Sequence, residues 1–190
     1  MTESTRATQV GMGLGLILLM ALTRGHHFAS IELLPSASWA VFLLAGFFVR
    51  PAWFFGLLFL EAVLLDLAAL GLNAGIAHCI TPAYGMLVPA YLSLWLGGRY
   101  YARIHRDHWS TLAPLVATLL VSAFAANLLS SGGYYFLSGM YEDTSLSGLW
   151  QRIEHYLPAK LAILAGYTLV VGGAGWLASR ARPAAGAHQA

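Results

Sequence analysis

Residues 67–98 read LAALGLNAGIAHCITPAYGMLVPAYLSLWLGG and contain no aspartate, glutamate, lysine or arginine. A helix needs only about 20 apolar residues to cross the hydrocarbon of a bilayer, so this stretch is too long for one span. Gly71, Asn73 and Gly75 are poor helix formers and divide it into the end of one helix and the start of the next. Thr81 and Pro82 predict that start, with Thr81 as the N-cap and Pro82 at the first helical position.

The composition of the whole chain indicates a protein that lies in lipid. Hydrophobic residues make up 58% of it and charged residues 9%, whereas soluble domains carry roughly 25% charged residues. The formal net charge of +2 is too small, and the basic residues are too scattered, for a nucleic-acid surface. The single cysteine excludes an internal disulfide, and the Cys/His spacing of zinc sites is absent from the sequence.

Charged residues, glycine, proline and asparagine divide the apolar sequence into six segments. We therefore predict an all-α integral membrane protein with six transmembrane helices in a single domain over residues 1–190. Residues 1–8 would form an N-terminal tail and residues 183–190 a disordered C-terminal tail. The predicted spans are residues 10–23, 37–49, 52–72, 80–96, 112–137 and 158–177. Residues 10–22 also have the length of a signal-peptide core, but no small-residue cleavage site follows them, so we interpret them as a span.

The basic residues predict the orientation of these spans. With six spans, the two termini and the second and fourth connections share one side of the membrane. That side carries Arg6, Arg50, Arg99, Arg103, Arg106, Arg180 and Arg182. The other side carries Arg24, Arg152 and Lys160. By the positive-inside rule, the first side and both termini are cytoplasmic.

The residues with unusual chemistry collect in the outer half of the predicted bundle. Cys79 precedes the start of the fourth span, where the positive end of a helix dipole favours a thiolate. Asp66 lies on the order of 9 Å inside the outer end of the third span, and an ionisable residue in the membrane is a candidate functional residue. Tyr84 lies at a similar depth on the fourth span. Each also has a structural interpretation, with Cys79 as a small buried hydrophobe, Tyr84 as a packing residue and Asp66 as an ion-pair partner.

The last outer connection has the pattern of an amphipathic helix. Its apolar residues at helical spacing are Leu146, Leu149, Trp150, Ile153 and Leu157. The segment either lies at the membrane interface or leads into the sixth span. Its polar face carries Arg152 and His155, either as solvated residues or as groups that hold a ligand carbonyl or phosphate. We interpret residues 130–133, SSGG, as a helix end and turn, and Glu61 as a packing or protonated residue.

These features together resemble the BtuM family of bacterial vitamin B12 transporters, over nearly the whole chain. That family is similar in fold to the S-components of energy-coupling-factor (ECF) transporters. The resemblance implies cobalamin uptake across the bacterial inner membrane, with the base-off corrinoid in an outward-facing cavity and Cys79 as an axial cobalt ligand. It implies that Asp66, Tyr84 and Arg152 contact the corrin ring and its amides, and that His27 is a candidate for the opposite axial face. It also implies that thiolate ligation promotes loss of cyanide from cyanocobalamin.

The partner that supplies energy is left open by the sequence. S-components that dock on a shared energising module commonly carry an AxxxA pattern in the first span. Here Gly11 and Gly15 form a small-xxx-small pair, which permits close helix contact. We therefore expect that the protein docks on an ECF module or works alone, or that these glycines pack within the bundle.

Two other classes of protein account for some of the same residues. An intramembrane cysteine peptidase or transpeptidase of the exosortase type would use Cys79, Arg152 and His155 in that chain order. Its cysteine normally precedes a small residue, whereas Ile80 follows Cys79. A haem or quinone redox protein should carry histidine pairs within spans, whereas here the histidines lie in predicted connections and tails.

Overall fold

The computed structural model describes residues 3–24, 34–72, 81–106 and 108–180. Over these residues the chain is helical and forms no strand, which confirms the predicted all-α class. The helices are α1 (Glu3–Thr23), α2 (Ser38–Phe48), α3 (Trp53–Leu72), α4 (Leu87–Ile104), α5 (Leu112–Asn127), α6 (Gly133–Leu137) and α7 (Leu146–Arg180). Two 3₁₀ turns, Pro82–Met86 and Trp109–Thr111, precede α4 and α5, and a π-helical turn, Leu128–Gly132, joins α5 to α6.

Three helical stretches of the described chain are long and apolar enough to cross a membrane. They are Trp53–Leu70, Trp109–Leu137 and Leu146–Ala174. Ala7–Thr23 and Ser38–Phe48 are shorter apolar helices. These lengths and compositions are those of a membrane protein, while a total of six spans stays a prediction.

The helix boundaries differ from the predicted ones at both ends of the chain. α1 begins at Glu3 and so extends into the predicted N-terminal tail. α7 is one helix of 35 residues that passes through Pro158. The amphipathic segment therefore leads directly into the last helix. At about 1.5 Å per residue, α7 measures about 52 Å, which exceeds the ~30 Å thickness of the hydrocarbon.

The predicted helix end at residues 130–133 is wrong. The chain passes through the π-helical turn and remains helical to Leu137. The two glycines allow close packing here: a Cβ atom at Gly133 would lie 2.6 Å from Cγ of Met86, and one at Gly132 would lie 3.5 Å from Cδ1 of Leu149. The residues that suggested a chain reversal therefore permit contact between neighbouring elements.

The core is built around α2, which is buried from Ala40 to Gly46. α2 packs closely on α4, because Gly46 faces the backbone carbonyl of Trp95 and Gly98 faces the backbone carbonyl of Leu43. Small residues let the backbones of two helices approach in this way. The contact sets the position of α4, from which the residues of the candidate site project.

The two ends of the bundle carry different polar residues. At one end, the side chain of Arg24, directly after α1, contacts Ser38 at the start of α2 and Asp66 near the end of α3. At the other end, Nη2 of Arg99 donates a hydrogen bond to the backbone carbonyl of Arg50. We call these the Asp66 end and the Arg50 end. The side of the membrane that each end faces stays a prediction.

Candidate functional site

The Asp66 end is organised around an ion pair between Arg24 and Asp66. Nε of Arg24 donates to Oδ1 of Asp66 at 2.8 Å, and Nη2 donates to Oδ2 at 2.8 Å. Two parallel bonds of this kind fix the carboxylate in position and orientation. The Arg24 side chain is 9% exposed and that of Asp66 25%. Arg24 remains protonated even when buried, so its charge holds the partly exposed Asp66 side chain in place.

The third nitrogen of the Arg24 guanidinium joins two further helices to the pair. Nη1 donates to Oγ of Ser38 at 2.8 Å and to the hydroxyl of Tyr91 at 2.7 Å. The Tyr91 ring is stacked on Phe42 with its centroid 4.3 Å away. One side chain thus connects the end of α1 to α2, α3 and α4.

Tyr84 completes this group. Its hydroxyl donates to Oδ2 of Asp66 at 2.6 Å, so the structure brings together two residues that the sequence predicted as site residues. Tyr84 lies on the 3₁₀ turn that begins at Pro82, and the predicted start is confirmed by the extended backbone of Thr81 and by Pro82 in the first position. The Thr81 side chain makes no capping hydrogen bond there. We call Arg24, Ser38, Asp66, Tyr84 and Tyr91 the Arg24 cluster.

Several predicted site residues lie outside the described residues. They are Cys79, His78, His26 and His27. Along the chain, Cys79 stands three residues before Pro82, where the turn that carries Tyr84 begins.

Arg152, on α7, lies among three tyrosines. Its Cζ atom is 4.8 Å from the ring centroid of Tyr141 and 5.5 Å from those of Tyr135 and Tyr156. Its buried Nε has no hydrogen-bond partner within the described part of the chain. An arginine held by π faces keeps its N–H groups available for a carbonyl or an anionic oxygen.

A cavity of about 410 Å³ opens beside Arg152. It is lined by Tyr135, Gly148, Gln151, Arg152, His155 and Tyr156. We call it the Arg152 groove. Arg152 and His155, which the peptidase interpretation also requires, therefore share one groove.

The Arg24 cluster and the Arg152 groove lie at the same end of the bundle. The turn that carries Tyr84 packs through Met86 against Gly133. Gly133 stands two residues before Tyr135, whose ring faces Arg152. Asp66, Tyr84 and Arg152 are thus joined through one continuous set of packed elements.

Sequence reasoning missed three members of the Arg24 cluster: Arg24, Ser38 and Tyr91. The sequence analysis places Arg24 on the outer side by its position after the first span, and gives it no partner. A signal was present, since a single arginine directly after an apolar helix must find a counter-charge or reach water. Ser38 and Tyr91 carry no such signal, because a serine or tyrosine at the end of an apolar helix is common.

A second polar cluster, also missed, lies between α5 and α7. Nζ of Lys160 donates to Oδ1 of Asn127 and to Oγ of Ser131, each at 3.2 Å. It also lies 4.9 Å from the ring centroid of Trp39. Asn127 is fully buried. These contacts attach α7 to the π-helical turn near the Arg152 groove.

Gly11 and Gly15 do not pack within the bundle, so that alternative is wrong. Both are exposed on α1, and a Cβ atom added at either would meet no atom within 4 Å. Val10, Leu14 and Leu18 are exposed beside them. The small-xxx-small pair therefore lies on an open apolar face.

No family model and no curated protein sequence matches this chain. Within residues 3–24, 34–72, 81–106 and 108–180, no group of three or more His, Cys, Asp or Glu side chains has the arrangement of a metal site. Function is therefore inferred from the individual residues and their geometry.

Proposed function

We propose that this protein takes up cobalamin across the bacterial inner membrane, with both termini in the cytoplasm. The Asp66 end faces outward and binds the base-off corrinoid. Cobalt enters as part of the substrate, with the Cys79 thiolate as its axial ligand and His27 as a candidate for the opposite face. A thiolate is a soft, strongly donating ligand and imidazole a borderline one, so both suit a transition metal.

The observation that supports this proposal most strongly is the position of Asp66, Tyr84 and Arg152 at one end of the bundle. The resemblance assigns ligand contacts to these three residues, which are far apart in the sequence. Tyr84 and Asp66 are in direct contact at 2.6 Å, and Arg152 borders a groove at the same end. We expect one bound ligand to extend from the groove to Asp66 and Tyr84, which do not line it.

The chemistry of these residues matches the edge of a corrin ring. A corrin carries amide side chains, whose N–H groups donate to a carboxylate and whose carbonyls accept from a guanidinium. The Arg152 groove measures about 410 Å³, near the lower end of the ~300–1,000 Å³ range of pockets for drug-sized ligands. Cobalamin is larger than such ligands, so the groove takes one edge of the ring rather than the whole molecule. The apolar ring face would then lie against the aromatic side chains of the groove.

Thiolate ligation also accounts for the proposed removal of cyanide. The Cys79 sulfur donates an electron pair to cobalt on one face of the ring. Cyanide then leaves from the opposite face with the electron pair of its bond to cobalt, and no net oxidation or reduction occurs. Donation from one axial ligand weakens the bond to the other, so the step needs no further reactant.

The protein either takes its energy from an ECF module or works without one. The exposed face of Gly11 and Gly15 supports the first possibility, because two small residues four apart admit a partner helix at close range.

Replacing Arg152 by Gln should weaken cobalamin binding about tenfold or more. A hydrogen bond from a charged donor contributes about 1.5–3 kcal/mol, and about 1.4 kcal/mol corresponds to a tenfold change in Kd. The measurement is isothermal titration of cyanocobalamin into purified protein in detergent.

Arg99→Gln is the matched control for this experiment. Arg99 also lies over an aromatic ring, with Cζ 4.6 Å from the Trp95 centroid, but at the Arg50 end. The Arg99→Gln substitution should leave the Kd for cyanocobalamin unchanged within about twofold. Equal losses of affinity in the two variants would contradict the assignment of Arg152 to the ligand.

A further inference from the structure

Glu61 is an acid that the proposed function does not use. It stands at the middle of the Trp53–Leu70 stretch of α3, which is long and apolar enough to cross the membrane. Both oxygens of its carboxyl group are buried, and no residue that the structure describes hydrogen-bonds to either of them. Asp66, five residues further along the same helix, has partners for both oxygens.

An ionised carboxylate without partners is strongly unfavourable at this depth. Burial of an unpaired charge costs many times more than burial of a neutral group that can hold a proton. Glu61 is therefore a neutral carboxylic acid in this conformation and carries one exchangeable proton. If the site is exposed alternately to the two sides of the membrane, a proton bound at this position can be carried from one side to the other.

Three helices pack on α3 and could bring charged or titratable groups close to Glu61. α3 packs on α1, α2 and α4. The described side chains of α1 include none that titrate, and α2 contains no titratable residue, but Arg24 follows α1 directly and is the charged group that acts on Glu61. α4 contributes Tyr91, which is bound to Arg24 and has its ring 6.3 Å from that of Phe59.

This neighbourhood holds one cation and two acids. Arg24 is paired with Asp66 here, so Glu61 keeps its proton. Asp66 has a second hydrogen-bond donor in Tyr84 and is one-quarter exposed. Tyr84 therefore holds the Asp66 side chain in addition to Arg24. Arg24 is thus the cation whose charge can offset a Glu61 carboxylate once the proton has left.

We propose that Glu61 is a proton-binding site that couples uptake to inward proton movement. The inference rests on the proposed function, and it supplies an energy source for a protein that works without an energising module. Glu61 takes one proton from the outer side when the ligand binds and releases it on the cytoplasmic side. Arg24 then offsets the carboxylate while the empty protein returns. One proton moves with each ligand, and no electron is transferred.

The test uses the full chain in vesicles that contain a trapped pH-sensitive dye and no other protein. Adding cyanocobalamin outside should acidify the interior, and an acidic exterior should speed uptake severalfold. Glu61→Gln should still bind cyanocobalamin but lose both effects. Glu154→Gln is the matched control, because Glu154 is an exposed acid on α7. It should behave as the unaltered protein does.

Each outcome decides between the two proposals. If the unaltered protein binds no cyanocobalamin, the proposed function and the proton coupling both fail. If it binds and transports the ligand without acidification, only the coupling fails. Should Glu61→Gln not fold, Glu61→Asp keeps an ionisable group and should shift the pH of half-maximal uptake. An unchanged pH midpoint in Glu61→Asp would overturn the assignment of the proton to Glu61.

Discussion

Replacing Asp66 by Asn should lower the free energy of unfolding by about 3 kcal/mol or more. The side chain of Arg24 is 9% exposed, and the substitution removes the carboxylate that is bound to it in this structure. Removing one partner of a buried ion pair costs about 3–5 kcal/mol, mostly because the other charge stays buried. The measurement is unfolding in mixed detergent micelles, followed by tryptophan fluorescence.

Two comparisons show whether the ion pair is the cause. The double variant Arg24→Met with Asp66→Leu should lose less stability than Asp66→Asn, because no buried charge remains. Asp143→Asn changes an exposed acid and should alter stability by no more than about 0.5 kcal/mol. If Asp66→Asn and Asp143→Asn have the same effect, Arg24 is not held by Asp66.

Replacing Gly98 by Ala should lower the free energy of unfolding by about 3 kcal/mol. The added Cβ would overlap the backbone carbonyl of Leu43. A backbone atom cannot rotate away as a side chain can, so α2 and α4 must separate. Overpacking of this kind costs about 1–3 kcal/mol and sometimes more. The same unfolding measurement applies.

Gly56→Ala provides the control for the change of residue itself. Gly56 is exposed on α3, and a Cβ atom there would meet nothing within 4 Å. The Gly56→Ala substitution should leave the free energy of unfolding unchanged or raise it by up to about 1 kcal/mol, because Ala favours a helix more than Gly does. Equal effects of Gly98→Ala and Gly56→Ala would contradict the close approach of α2 and α4.

The helices could be predicted from the sequence because their signals are local. Apolar runs and the breakers between them define α2 and α3 to within one residue, and the predicted fifth span, residues 112–137, matches the helical stretch from α5 through α6. Residues 130–133 were misread for a physical reason, since a Ser-Gly pair serves a turn and a close helix contact equally well. Which of the two occurs depends on Met86 and Leu149, which belong to other elements.

The candidate site could be predicted only in part. Asp66 and Tyr84 could be identified from the sequence because ionisable and polar side chains within a predicted membrane span are rare, and burying them in lipid costs free energy. Their partner Arg24 was missed, since its contacts reach 42 positions along the chain to Asp66 and 67 to Tyr91. Such pairs depend on the order of helices in the bundle, which composition and periodicity do not specify.

The visible absorption spectrum of bound cyanocobalamin tests the account most directly. The unaltered protein should hold the ligand with a cobalt spectrum shifted from that of free cyanocobalamin, because a sulfur atom replaces an axial ligand. Cys79→Ala should bind with an unshifted spectrum, and Arg152→Gln should bind more weakly but retain the shift. The same unshifted spectrum in the unaltered protein and in Cys79→Ala would contradict ligation of cobalt by Cys79.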